Sequence, residues 1–140
     1  MNMSSDSNCW SIMHSNIKTN NYIHFYPYSY SYGMNSENFP DVVITGLLPE
    51  KSTVIINACC KLIIQNLVDF DERHKLRFND EIMTIRFIKV DWENILKFMS
   101  NSCTFYKNKD FNIYQILWPD EYGNYPTYAN FKGSQFLMSH

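Results

Sequence analysis

The acids Asp120 and Glu121 follow Trp118-Pro119 at the end of an apolar segment, where a loop could expose them. Two carboxylates can act as general acid and general base when they face one site and their pKa values differ. Residues adjacent in sequence seldom face the same way, which argues against such a pair. An Asp that follows Pro and lies three residues before Gly is typical of a turn whose carboxylate accepts backbone N–H groups. The sequence therefore favours a turn, with binding and catalysis by Asp120 as alternatives.

Three side chains are candidates for acid/base chemistry if the protein is an enzyme, namely Asp120, Arg86 and His24. Arg86 lies among apolar residues of a predicted strand and needs an anionic partner if its face is buried. The alternative is an Arg whose head group reaches solvent at the rim of a sheet. The sequence favours a non-enzymatic protein. A small enzyme acting on a nucleotide-like or other small polar substrate is the second hypothesis.

Aromatic side chains recur in two stretches and predict a contact surface. The first stretch, YSYSY, alternates Tyr with Ser, the period of a strand that places its three tyrosines on one face. The second surrounds the Asp120 turn. Trp and Tyr are frequent anchors of protein interfaces and can stack on planar ligands, but they can also complete a small core. The predicted binding residues are Tyr28, Tyr30, Tyr32, Trp118, Asp120, Tyr122 and Tyr125.

The spacing of His and Cys residues does not match a metal site. The four histidines and four cysteines lack the C-x-x-C, H-x-x-x-H and H-E-x-x-H patterns. The segment DFDERHKLRFND begins like a calcium loop but has His and Asp where that loop needs Gly and Glu. Phosphate-binding and dinucleotide motifs are also missing from a chain with 4 Gly. We therefore predict neither a metal nor a cofactor.

Charge and composition limit the partners and the compartment. The net charge of −2, without a basic stripe, argues against duplex nucleic acid. The N-terminal sequence lacks signal-peptide features, and the most apolar run is too short to span a membrane. We expect an intracellular, reducing compartment and no membrane association or secretion. A protein partner or a homo-oligomer is favoured over a small molecule. The abundance of Asn, Tyr, Ile and Lys indicates an AT-rich genome, such as that of a protist, a low-GC bacterium or a large DNA virus.

Hydrophobic periodicity predicts the element order β-β-β-α-β-α-β. The clearest helix spans residues 49–68, and a second helix is predicted over 92–106, whereas residues 69–80 read as a charged connector. We predict an α+β domain with a mainly antiparallel sheet of about five strands and two helices packed on one face. The domain is expected to span residues 9–131, between a flexible tail at 1–8 and a C-terminal tail at 132–140.

Several short motifs together point to a family. They are Trp10, Tyr32-Gly33-Met34 at an x-G-L position, Phe39-Pro40-Asp41 at an H-P-E position, Gly46-Leu47 at a strand end, and Gln115, Trp118, Pro119, Asp120, Gly123 and Pro126 of Q-x-x-W-P-D-x-x-G-x-x-P. Over about residues 9–131 the chain resembles the bacterial domain-of-unknown-function family numbered 4262. It departs from the family at Phe39, where the motif has His, and at Thr127, where the motif has Trp. The family carries no established activity, so the resemblance implies a fold but no reaction.

Overall fold

The computed structural model describes residues 10–18, 25–107, 110–133 and 135–139. The tail predicted at residues 1–8 and the candidate His24 lie outside these ranges. The described residues form six strands, three α-helices and one short 3₁₀-helix. Their bounds are Ser11–Lys18 (β1), Phe25–Tyr32 (β2), Met34–Glu37 (the 3₁₀-helix), Asp41–Thr45 (β3), Pro49–Ile64 (α1), His74–Phe78 (β4), Glu81–Lys89 (β5), Trp92–Phe98 (α2), Ser100–Phe105 (α3) and Ile113–Leu117 (β6).

All six strands belong to one sheet with the order β1-β2-β3-β6-β5-β4. Neighbouring strands are antiparallel except for β3 and β6, which run parallel at the centre with Asp41 opposite Ile113. The parallel pair joins two antiparallel halves, β1-β2-β3 and β6-β5-β4. Because β3 and β6 run in the same direction, both strands begin at the same end of the sheet.

Helices cover both faces of the sheet, because successive side chains of a strand point to opposite faces. Val42 and Ile44 of β3 pack in one cluster with Ile55 of α1. Val43, between them, packs in a second cluster with Ile95 of α2. All residues of β3 are buried, as expected of a central strand covered on both sides.

The longest helix, α1, follows its sequence signals. Pro49 occupies the first helical position, and Glu50 adds an acid to the first turn. Beyond its last residue Ile64, Asn66 adopts a left-handed conformation (φ 58°) and donates its N–H to the Ile63 carbonyl, as is usual where helices end. None of the helices in the described ranges is long and apolar enough to cross a membrane.

The predicted α+β class and the mainly antiparallel sheet are confirmed, whereas three details differ. The segment predicted as a connector contains the edge strand β4, in which only Leu76 is buried, so it lacks an alternating apolar pattern. The predicted second helix is interrupted at Met99 (φ −125°, ψ 52°) and forms α2 and α3. These two helices lie on the face opposite α1 and not on the same face. Periodicity could not predict this, because it identifies a buried stripe without saying which face of the sheet the stripe covers.

Residues 135–139, which the sequence assigns to a C-terminal tail, contact the central strand β6. The buried side-chain amide of Gln115, on the central strand β6, donates to the Phe136 carbonyl (2.7 Å) and accepts the Met138 N–H (2.7 Å). The Met138 side chain is completely buried. The Gln115 side chain thus pairs with the backbone of this segment much as a neighbouring strand would.

Candidate functional site

Asp41 is a buried acid at the first position of β3, at the end of the sheet where β3 and β6 begin. Its carboxylate accepts hydrogen bonds from the Ser31 hydroxyl (2.9 Å), the Met34 N–H (3.1 Å), the Asn35 side-chain amide (2.8 Å) and the Tyr106 hydroxyl (2.5 Å). All four partners are donors, which suits an ionised carboxylate because it can only accept. These groups replace the water that burial removes.

Tyr106, which follows α3, connects this carboxylate to the loop before the 3₁₀-helix. Its hydroxyl donates to Asp41 and accepts the N–H groups of Gly33 (2.6 Å) and Asn35 (3.1 Å). Burial and the charge of Asp41 both raise the pKa of Tyr106. Burial also raises the pKa of Asp41 above its ordinary value of 3.8, against the opposing effect of the bonds from Tyr106 and the other donors. Both lone pairs and the proton of the Tyr106 hydroxyl are thus engaged within the protein.

Asn35 ties the same loop to the start of β6. Its side-chain oxygen accepts the Asn112 N–H (3.0 Å), and its side-chain nitrogen donates to the Asn112 carbonyl (2.9 Å). The same carbonyl also accepts the backbone N–H of Asp41 (3.0 Å). The loop, the start of β3 and the residue before β6 therefore form one hydrogen-bonded unit.

An open cleft of about 600 Å³ lies beside this unit. Asn35 and Tyr106 line it from the hydrogen-bonded side, and Phe39, Phe105 and Phe111 supply aromatic walls. The Phe105 side chain is half exposed. The volume is within the range of binding pockets, and the mixture of rings and a few polar groups is typical of them.

Five further polar residues line the cleft, and their side chains make no hydrogen bond or ion pair with any other described residue. They are Ser36, Asn38, Lys107, Asp110 and Asn112. They include one cation, one anion and two amides, and each amide offers both a donor and an acceptor. The cleft thus combines a hydrogen-bonded side with polar groups that have no hydrogen-bond partner among the described residues.

A second hollow of about 300 Å³ adjoins the cleft and shares residues 110–112 with it. Lys89 and Trp92 line its far side. Phe111 lines both spaces, and its buried ring has its centroid 4.7 Å from that of Tyr106 in the cleft and 5.2 Å from that of Trp92 in the hollow. The cleft and the hollow together are called the groove below.

Asp120, the leading candidate from the sequence, lies in a tight turn after β6. Its carboxylate accepts the N–H groups of Tyr122 (2.9 Å), Asn124 (2.9 Å) and Lys132 (2.7 Å). Partial burial raises the pKa of Asp120, but these bonds outweigh that effect and the pKa is lowered. Gly123 provides the left-handed residue of the turn (φ 85°). The carboxylate has the local contacts that the turn hypothesis describes.

The residues of the predicted aromatic surface do not form one exposed face. Tyr28, Tyr30 and Tyr125 are buried, Tyr32 and Trp118 are partly buried, and Tyr122 is 70% exposed. Tyr28 and Tyr30 share a face of β2, as their alternation predicts, but α2 and α3 cover that face. The Tyr28 hydroxyl, for example, donates to the Phe98 carbonyl of α2 (2.7 Å).

Arg86 lies on β5 with its guanidinium carbon 5.5 Å from the centroid of the Tyr125 ring. Arg73 contacts the same ring at 5.6 Å. The ring therefore interacts with two cations, the partly buried Arg86 and the exposed Arg73. In the ranges that the structure describes, no three His, Cys, Asp or Glu side chains are grouped so that they could hold a metal ion.

Sequence reasoning did not find Asp41, Tyr106 or the groove. Two signals were present: an acid directly before an apolar strand, and the Phe39-Pro40-Asp41 motif. Phe39, at the motif position where the family has His, lines the cleft, and Asp41 lies in the adjacent hydrogen-bonded unit. The long separation between Asp41 and Tyr106 in sequence hides their contact from any local pattern.

The fold and the groove define a small α+β domain with an open groove at one end of a mixed sheet. The family model described as "Domain of unknown function (DUF4262)" matches residues 9–132, so the chain belongs to this family and the resemblance seen in the sequence is confirmed. No curated protein and no solved structure matches the chain.

Proposed function

We propose that this domain is a non-enzymatic protein-interaction domain and that the groove is its contact surface. The observation that carries the proposal is the open cleft of about 600 Å³, which is lined by a half-exposed Phe105 and by polar side chains without a hydrogen-bond partner among the described residues. An exposed large apolar side chain beside polar groups is characteristic of interaction sites. The hydrogen-bonded unit of Asp41, Tyr106 and Asn35 keeps the surface in one conformation and so reduces the entropy lost on binding.

The same hydrogen bonds weigh against a catalytic role. An acid or base must exchange a proton with a bound molecule, whereas the Asp41 carboxylate accepts four protein donors and is inaccessible to solvent. The hydrogen bonds to Asp120 argue in the same way, since three backbone N–H groups occupy its carboxylate. We therefore favour binding over the hypothesis of a small enzyme that uses Asp120 as acid or base.

The proposed contact surface is aromatic, but its residues differ from those predicted from the sequence. Phe39, Phe105 and Trp92 line the groove, whereas Tyr28 and Tyr30 stabilise the core. Two exposed aromatic residues allow the groove to be tested against a matched control: Phe105 lines it and is 50% exposed, and Tyr122 does not line it and is 70% exposed.

The test is a pull-down from an extract of the native host with wild-type protein, Phe105→Ser and Tyr122→Ser. We expect a protein retained by the wild type and by Tyr122→Ser, and lost with Phe105→Ser. Sedimentation of the same three proteins reports whether that partner is a second copy of the chain. Equal retention by all three proteins, with equal sedimentation, would contradict the groove as contact surface.

A further inference from the structure

The shape of the groove indicates a linear ligand. Its two spaces, of about 600 and 300 Å³, share residues 110–112, and the buried Phe111 ring contacts Tyr106 of the first space and Trp92 of the second. A compact molecule would fill one space and leave the other empty. In an extended peptide, residues two positions apart point to the same side and are separated by about 7 Å. Such a chain can place one side chain in each space.

Asn112 is positioned to contact the backbone of such a chain. Asn112 lines both spaces, and its backbone is held by the side-chain amide of Asn35 through hydrogen bonds of 2.9 and 3.0 Å. The exposed Asn112 amide makes no hydrogen bond with the other described residues. It offers one donor and one acceptor group side by side, which complements the C=O and N–H of a peptide.

The charges along the groove specify the ends of the ligand. Lys107 lines the cleft, Lys89 lines the second hollow, and Asp110 lies in the wall between them. A peptide ligand of complementary charge therefore carries an acidic residue near each of the two lysines and none near Asp110.

We infer that the groove binds an extended peptide segment of a partner protein, with two apolar side chains two positions apart in its two spaces and acidic residues flanking them. The inference rests on the proposed function, because it names the chemistry of the partner at the same surface. It adds the conformation of the ligand, its spacing and its charge.

Three blocked synthetic peptides test the inference: Glu-Phe-Ser-Phe-Glu, its charge-reversed form Lys-Phe-Ser-Phe-Lys, and the isomer Glu-Phe-Phe-Ser-Glu. Titration followed by ¹H–¹⁵N NMR uses the Asn112 side-chain amide as a direct reporter. We expect the first peptide to shift that signal and the backbone amides of residues 110–112. The charge-reversed form should bind about five-fold more weakly, the effect of two exposed ion pairs. The isomer should also bind more weakly because its adjacent rings point to opposite sides.

A charge exchange in the protein provides a second, independent readout. The double variant Lys89→Glu/Lys107→Glu should prefer the charge-reversed peptide. Lys61→Glu/Lys75→Glu changes the net charge equally at residues outside the groove and should keep the wild-type preference. Because all four lysines are exposed, we expect these variants to fold.

The inference would be overturned if the first peptide, added up to about 1 mM, shifted none of the amide signals of residues 110–112. A concentration of about 1 mM is a limit for weak binding. Equal binding of all three peptides, or the same preference in both double variants, would also overturn it. If Phe105→Ser still abolishes capture of the partner in that case, the interaction surface stands and only its peptide chemistry is wrong. If capture does not depend on Phe105 either, the proposed function fails as well.

Discussion

The Tyr106 hydroxyl lies 2.5 Å from the Asp41 carboxylate and so connects the end of α3 to the first residue of β3, 65 positions earlier in the chain. The same hydroxyl accepts two backbone N–H groups of the loop that begins at Gly33. One side chain thus holds a helix, a loop and a central strand together beside the groove. This arrangement makes Tyr106 the residue whose removal tests the site most directly.

Tyr106→Phe removes the donor to Asp41 and the acceptor for the N–H groups of Gly33 and Asn35. Because these groups lie in a largely buried region, we expect the free energy of unfolding to fall by about 1–3 kcal/mol. Urea denaturation measures the change, with an unaltered m-value as evidence that the variant remains two-state. Tyr122→Phe, at an exposed position, should change stability by less than about 0.5 kcal/mol. Equal effects of the two substitutions would contradict the role of Tyr106.

Asp41 should titrate above its ordinary pKa of 3.8, because burial raises that pKa and the four donors only partly compensate. Between 3.8 and the raised pKa the folded protein binds more protons than the unfolded chain. The contribution of Asp41 to stability therefore decreases as pH rises through this window and is constant above it. Carboxyl ¹³C chemical shifts, followed over the pH range in which the protein stays folded, give the midpoint. A midpoint at or below 3.8 would show that hydrogen bonding outweighs burial.

Asp120 should behave in the opposite way. Its pKa is lowered, so its contribution to stability is present above 3.8 and is lost as pH falls through the folded value. We expect Asp120→Asn to be less stable than the wild type at neutral pH, with a difference that shrinks in acid, while binding of the partner is unchanged. Denaturation at a series of pH values measures this difference, and Glu121→Gln at the neighbouring exposed position is the control. Loss of binding at unchanged stability would favour a binding role for Asp120.

Ser102, on α3, has a buried hydroxyl without a hydrogen-bond partner among the described residues. An unsatisfied buried polar group is unfavourable, so Ser102→Ala should raise the free energy of unfolding by about 1 kcal/mol. Ser52→Ala is the matched control, since Ser52 is equally buried in a helix but donates to the Leu47 carbonyl (3.2 Å). The control should lower stability by about 1 kcal/mol. Thermal denaturation should show shifts of opposite sign, and shifts of the same sign would contradict the assignment.

The elements that follow local rules were predictable from the sequence. The β-branched run 41–45 predicts a buried central strand, and Pro49 with Glu50 predicts the start of α1. The edge strand β4 was not predictable in the same way, because Lys75 and Arg77 are exposed and Leu76 is its one buried residue. Alternation likewise places Tyr28 and Tyr30 on one face but does not reveal that helices cover it.

The candidate site depends on contacts between distant parts of the chain. Asn35 meets Asn112, and Asp41 meets Tyr106, only after the central parallel pair and α3 are in place. Neither contact has a local sequence signature. The turn at Asp120 shows the reverse case, because all its partners except Lys132 lie within four residues and short-range turn rules describe them.

The central pairing of Asp41 with Ile113 closes a loop of about half the chain. The entropy cost of closing a loop grows with its length, and folding is slower when contacts are distant in sequence. The hairpins β1–β2 and β4–β5 can form from nearby residues, whereas the junction between the two half-sheets requires this long closure. The groove lies at that junction and exists only when the closure is complete. Any molecule that occupies it therefore favours the joined state by mass action, so that occupancy of the groove and completion of folding are thermodynamically coupled.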